Sequence, residues 1–152
     1  MLPAMSDHVT ARELIKKASV NVAAGTFSLV RLEQAAFARL LAASELSPRL
    51  DAPFMIFSDG REVTLLLDQQ DLQHMRPGLG DAKLENDFRL LSFDIEMDFT
   101  VVGFIAEISA IMASANIPIV ALSSFSTDHL LVKQTDLANA LKALGPYVAE
   151  AC

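Results

Sequence analysis

At 152 residues, 52% of them hydrophobic and 20% charged, the chain can bury a substantial core as one compact domain or two small modules. Its net charge of −7 speaks against nucleic acid or an anionic membrane surface as the main partner, because both call for clustered lysine and arginine. A single cysteine, Cys152, excludes an internal disulfide framework and fits a reducing compartment, so a cytoplasmic protein without leader or membrane anchor is expected.

Residues 1–24 are of mixed character, and 12–18 admit either a short helical turn or a polar arm. Residues 26–32 (TFSLVRL) alternate, with Ser28, Val30 and Leu32 on one side and Phe27, Leu29 and Arg31 on the other, which predicts a strand. The alanine- and leucine-rich run 34–43 predicts a short helix, stopped by Ser47-Pro48. Two apolar, partly β-branched runs, 53–58 and 62–67, flank Asp59-Gly60-Arg61, a strong hairpin signal. A helix-prone piece, 69–75, then leads into the turn formers Arg76-Pro77-Gly78-Leu79-Gly80-Asp81, where a boundary between two halves is expected.

In the second half Phe93, Ile95 and Met97 alternate with Asp94, Glu96 and Asp98, which predicts a strand with one wet face. Apolar residues Val101, Phe104, Ile105, Ile108, Ile111 and Met112 recur at spacings of three and four, so an amphipathic helix is expected over 101–114. Asn116 is a fitting cap and Pro118 prevents continuation. Strands are expected at 117–123 and 129–133, joined by Phe125-Ser126-Thr127-Asp128. Thr135-Asp136 opens a last helix through Leu137, Leu141 and Leu144, which Gly145-Pro146 ends.

The two halves align at a constant offset of 65 residues. Leu65, Leu66, Gln69, Asp71 and Leu72 fall on Leu130, Leu131, Gln134, Asp136 and Leu137, and Val30, Leu32 and Glu33 fall on Ile95, Met97 and Asp98. The expected division is an N-terminal arm (1–24), a first, degenerate unit (25–76), a linker (77–87), an intact unit (88–148) and a tail (149–152).

A repeated strand, helix, strand, strand, helix unit resembles the ACT-domain fold, the ferredoxin-like regulatory module of amino-acid metabolism. Gly103-Phe104-Ile105-Ala106-Glu107, Ile111-Met112-Ala113 and Asn116-Ile117-Pro118-Ile119 resemble the regulatory region of lysine-sensitive aspartokinases. Asp98-Phe99-Thr100, Gly103, Ser123-Ser124 and Thr127-Asp128 before Leu130-Leu131-Val132 resemble small free-standing tandem ACT proteins related to the CASTOR arginine sensors. The resemblance implies an α+β fold with two ferredoxin-like units in tandem, antiparallel sheets with helices on one face, and a homodimer formed edge to edge. Two departures limit it. Val120 stands where lysine-sensitive aspartokinases carry an aspartate, so lysine specificity does not transfer, and His129 stands where the tandem family often has tyrosine.

The junction 98–107 supports ligand binding on physical grounds. A helix starting near Thr100 leaves unpaired N–H groups and partial positive charge at its first turn, where a small carboxylate can dock. Thr100 can cap the helix or donate to a ligand, and Gly103 admits either close helix packing or close approach of a ligand. Asp128 can shape its turn or accept from an α-ammonium group. The expected ligand-binding set is Asp98, Phe99, Thr100, Val101, Val102, Gly103, Ser123, Ser124, Thr127 and Asp128. In the first half the aligned residues are 33–42, where Ala35 replaces Thr100 and Ala38 replaces Gly103, so the chemistry is expected in the second copy alone.

Catalytic readings fare worse. His8, His74 and His129 are scattered without ligand spacing, which gives no metal site. Gly78-Leu79-Gly80 lacks the rest of a phosphate loop, and there is no Gly-x-Ser-x-Gly elbow. The expectation is a regulatory protein without cofactor that senses a free amino acid or similar small metabolite, with a metabolic enzyme as a further partner. The alternative is a ligand-free module that dimerises or docks on such an enzyme.

Overall fold

The computed structural model describes residues 9–151; the first eight positions of the expected arm, and Cys152 of the expected tail, lie outside the described residues. The elements run α1 (Ala11–Lys17), β1 (Ser19–Val22), β2 (Phe27–Glu33), α2 (Gln34–Ala42), β3 (Met55–Ser58), β4 (Glu62–Asp68), α3 (Gln69–Met75), β5 (Lys83–Asp94), α4 (Phe104–Ser114), β6 (Val120–Ser123), β7 (Asp128–Lys133), α5 (Leu137–Leu144) and β8 (Glu150–Ala151). Among the described residues two compact units result: one of residues 24–89, and one of residues 9–23 together with 90–151. The long strand β5 gives residues 83–89 to the first unit and 90–94 to the second.

In the first unit the order is strand, helix, strand, strand, helix, strand. The strands lie as β3-β4-β2-β5, all antiparallel, the ferredoxin-like arrangement. Period-two alternation puts Val30 and Leu32 of β2 with Val63, Leu65 and Leu67 of β4 into one core, closed by Leu40 of α2, Leu72 and Met75 of α3, and Leu79. The β3–β4 hairpin turns through Asp59-Gly60-Arg61. Gly60 takes φ 87°, and Asp59 Oδ1 accepts from the Arg61 and Glu62 N–H groups at 2.8 and 2.9 Å. Those two donors hold the Asp59 carboxyl below its ordinary value.

The segment between α2 and β3 is held by one arginine. Asp68 caps α3 by accepting from the Asp71 N–H at 2.8 Å, and Asp71, only 1% exposed, accepts from Arg49 N and Nε at 3.2 and 3.0 Å. Arg49 also reaches Gln70 Oε1 at 2.8 Å and the Asp68 carboxylate. Removing the buried carboxylate leaves donors without a partner, so Asp71→Ala is expected to destabilise the protein by about 2 to 3 kcal/mol. Urea denaturation checks this, and a loss below about 0.5 kcal/mol would show the clamp to be dispensable.

In the second unit the strands lie as β6-β7-β5-β1-β8. Strand β1 runs antiparallel to β5, Ser19 opposite Asp94 and Val22 opposite Leu91, and the two-residue β8 joins β1 in parallel. Helix α1 opens with a capping box: Thr10 N–H donates to Glu13 Oε2 at 2.7 Å and Glu13 N–H to Thr10 Oγ1 at 3.3 Å. Ile15, Ala18 and Val20 then enter a core with Leu91, Phe93, Phe104, Ile108, Met112, Leu130, Val132 and Leu144. Phe93 and Phe104 meet edge to face, with ring centres 5.6 Å apart at 81°. Helix α4 ends in a left-handed Asn116, φ 57°, with Ile117 N–H returning to Met112 O at 3.0 Å and Asn116 N–H to Ala113 O at 3.0 Å.

These boundaries differ from those expected. The described part of the arm is α1 and β1, built into the second unit by the apolar positions just named. The second part of the expected linker, from Lys83 on, is strand, because this charged run pairs with β2, Leu84 opposite Val30 and Phe88 opposite Phe27. Residues 150–151 of the tail are β8. Strand β5 ends at Asp94, short of the expected strand to Asp98. The offset of 65 residues carries β3 onto β6 and the start of α3 onto Gln134, but α2 and α4 start 70 residues apart. The difference is the loop 95–103, which has no counterpart between Glu33 and Gln34. The pairing of Ala35 with Thr100 and of Ala38 with Gly103 therefore does not hold; Glu33 and Gly103 are the helix N-caps.

Candidate ligand-binding site

The loop 95–103 connects β5 to α4, and its local chemistry sets where the helix can begin. Asp98 Oδ1 accepts from the Thr100 N–H at 2.8 Å and from its hydroxyl, while Val101 N–H returns to Asp98 O at 3.2 Å. This aspartate turn competes with helix for the same backbone groups. Gly103 then takes φ 92°, a left-handed conformation that a side chain disfavours, and is the N-cap of α4 without any side-chain capping bond. The helix expected from Val101 thus starts at Phe104, and Thr100 caps the turn, not the helix. Glu107 N–H closes the first helical bond to Gly103 O at 3.0 Å.

Asp98, Thr100, Val101 and Val102 line one side of a cavity of 540 Å³, whose other side is Val9, Thr10 and Ala11. The arm thus contributes a wall, and none of its residues is in the expected ligand-binding set. The Thr-x-x-Glu capping box at Thr10 to Glu13 was the signal in the sequence that could have found it. Gly103 shapes the loop, and a Cβ on it would come within 3.9 Å of the Ala11 Cβ. Phe99 points away, at 105% relative exposure.

Ser123, Ser124, Thr127 and Asp128 do not line that cavity; they form the hairpin end between β6 and β7. Ser123 Oγ donates to Asp128 Oδ1 at 2.5 Å, and Ser124 N–H and Oγ both donate to Thr127 O, at 2.9 and 3.2 Å. The hairpin joins the loop through Met97 N–H, which donates to Ser126 O at 3.3 Å. His129, which the sequence left without a role, is half-buried between Ser92 and Ser124. Burial holds its pKa below the ordinary value against the weaker opposing pull of Asp128.

Two other cavities contain none of the expected residues. One of 480 Å³ lies in the first unit beside Arg39, Gly78 and Lys83, and one of 710 Å³ in the second beside Ile15, Ile111 and Tyr147. Among the described residues no group of three or more His, Cys, Asp or Glu could hold a metal ion, and no helix is long and apolar enough to cross a membrane.

The class defined by this architecture is an α+β protein of ferredoxin-like units. Residues 83–145, from the first residue of β5 to the end of α5, match the family model of the ACT domain. No curated protein matches the chain. Among solved structures it is similar to a protein of Agrobacterium tumefaciens, with 18% identity and TM-score 0.66 over 89% of this chain and 91% of that one. A protein of unknown function from Vibrio cholerae, described as a possible transport protein, is 23% identical with TM-score 0.64, over 88% and 93% of the two chains. The ligand-free regulatory subunit of aspartate kinase from Thermus thermophilus is 16% identical with TM-score 0.65, over 88% and 98%. The fold is that of aspartate kinase regulatory subunits.

Proposed function

We propose that this chain is a regulatory protein that binds a free amino acid or similar small metabolite beside the loop 98–103 and catalyses no reaction. The observation that carries the reading is the start of α4: a glycine N-cap with no side-chain capping bond, directly after a turn whose residues wall a cavity. A ligand carboxylate is suited to the N–H groups of that first turn. Asp128, in the hairpin tied to the loop by Met97 and Ser126, supplies a carboxylate for the α-ammonium end. Regulation follows if the bound ligand favours one packing of ACT units over another, by its differential affinity for the two. The reading includes a cytoplasmic setting, tandem ACT units akin to those of the CASTOR-related proteins, and a homodimer paired through the sheet edges that β3 and β6 present. Crystals soaked with amino acids are expected to show density at the start of α4, against Thr100 and Gly103. Density confined to another cavity would refute the placement.

A second reading, a docking module without ligand, is favoured by Phe99 and Phe125. Both are fully exposed, at 105% and 106%, on the two segments that Met97 and Ser126 join.

A further inference from the structure

Helix α4 turns a face to solvent that carries no charge. Its exposed positions are Ala106, Ala110, Ala113 and Ser114, and its one charged side chain, Glu107, accepts at Oε1 from Arg12 Nε of α1 at 3.2 Å. A surface helix ordinarily sets charged residues opposite its core stripe. Here that face is short and apolar, and the cavity of 710 Å³ lies among α4, α1 and the turn after α5. Arg12, Ile15 and Lys16 line it from α1, and Ala110 and Ile111 from α4. Tyr147 lines it from the turn, 52% exposed, with its N–H held by Leu144 O at 2.9 Å. The volume falls within the span of small-molecule sites, roughly 300 to 1,000 Å³.

We propose that this cavity is a second binding site, for an amphipathic organic acid with one carboxylate on an apolar, aromatic or branched body. It shares no lining residue with the cavity beside the loop 98–103, so it does not depend on the reading of that loop. The lining selects the class. An apolar body has Ile15, Ile111 and the Tyr147 ring to cover. The head group has a free cation: Arg12 is answered by Glu107, whereas the Lys16 ammonium has no hydrogen bond or ion pair among the described residues. Arg12, Lys16 and Lys17 all stand on α1, against only Lys133 and Lys142 in the rest of the second unit, so the positive charge of this unit gathers beside the cavity.

The same residues disfavour a zwitterion. Glu107, the carboxylate of the lining, is already paired with Arg12, so an α-ammonium group finds no free partner there. A second acidic group on the ligand would face Glu107 and be repelled. The ligand is thus chemically distinct from the amino acid proposed at the loop.

The chain has one tyrosine and no tryptophan, so tyrosine emission reports on Tyr147 alone. Titration of the native protein with phenylbutyrate is expected to change that emission saturably and to shift the Ala110 and Ile111 amides in nuclear magnetic resonance spectra. Phenylbutanol, the same body without the charge, should bind at least about fivefold more weakly, and Lys16→Glu should weaken phenylbutyrate by a similar factor. Lys142→Glu makes the same charge change at an exposed position of α5 outside the cavity, and should leave binding within about twofold. No change in emission, shifts confined to other residues, equal binding of acid and alcohol, or equal losses in the two charge variants would each overturn the proposal. Ala110 and Ile111 amides that respond to protein concentration and not to the acid would place a second copy on this face and overturn it as well. The comparison of acid with alcohol uses the native chain and so does not depend on a variant folding.

Discussion

Phe93→Ala is expected to destabilise the protein by about 3 to 5 kcal/mol, with a fall in melting temperature of roughly 10 °C. Phe93 is fully buried at the centre of the second unit's core and meets Phe104 edge to face at 5.6 Å. Truncation removes the transfer energy of the ring, opens a cavity, and takes away the aromatic contact. The position matters for function as well as stability. Phe93 lies near the end of β5 and Phe104 is the first residue of α4, so their contact fixes both ends of the loop 95–103. Phe93→Leu, which keeps most of the volume, should cost less than half as much. Guanidinium unfolding of the two variants is the check; a loss below about 1 kcal/mol for the alanine variant would mean that this contact does not anchor the loop.

Gly103→Leu should abolish amino-acid binding and leave the circular dichroism spectrum unchanged. At φ 92° a leucine is strained by about 1 to 2 kcal/mol, too little to unfold a domain of ordinary stability. Its side chain would nevertheless stand at the start of α4, close to the Ala11 wall, and block the approach of a carboxylate to the first-turn N–H groups. Gly103→Asn separates the two effects, because asparagine tolerates left-handed backbone but still adds a side chain. Binding lost in both variants indicates that close backbone approach is required. Loss in the leucine variant alone indicates that the loop conformation is what matters. Binding unaltered in both would remove this loop from the site.

What the sequence disclosed was local. The hairpin of β3 and β4 is written in Asp59-Gly60 between alternating runs, and α3 fills residues 69–75 as expected, because the signals for both lie within a few neighbours. Helix α1 and strand β1 carry equally clear apolar positions, Ile15, Ala18 and Val20, but their burial depends on β5, with Ser19 opposite Asp94. No local window holds that pairing. Strand β8 is two residues long and has no pattern to read.

At the candidate site, Asp98, Thr100 and Gly103 take a geometry other than the one expected. Apolar spacing carried the helix back to Val101, whereas the bonds of Asp98 to Thr100 and the left-handed Gly103 end the turn first and start the helix at Phe104. Aspartate two residues before threonine, followed by glycine, signals a turn as readily as a cap. Thr10 was passed over because its cavity partners lie about ninety residues away in the chain. His129 looked solitary because Ser92 reaches it only through the pairing of β7 with β5.

Isothermal titration of the native protein with each of the twenty amino acids in turn tests the central claim most directly. At least one is expected to bind saturably, with its heat lost in Gly103→Leu. No heat and no shift in melting temperature with any amino acid or related metabolite would contradict the account and leave the docking module in its place.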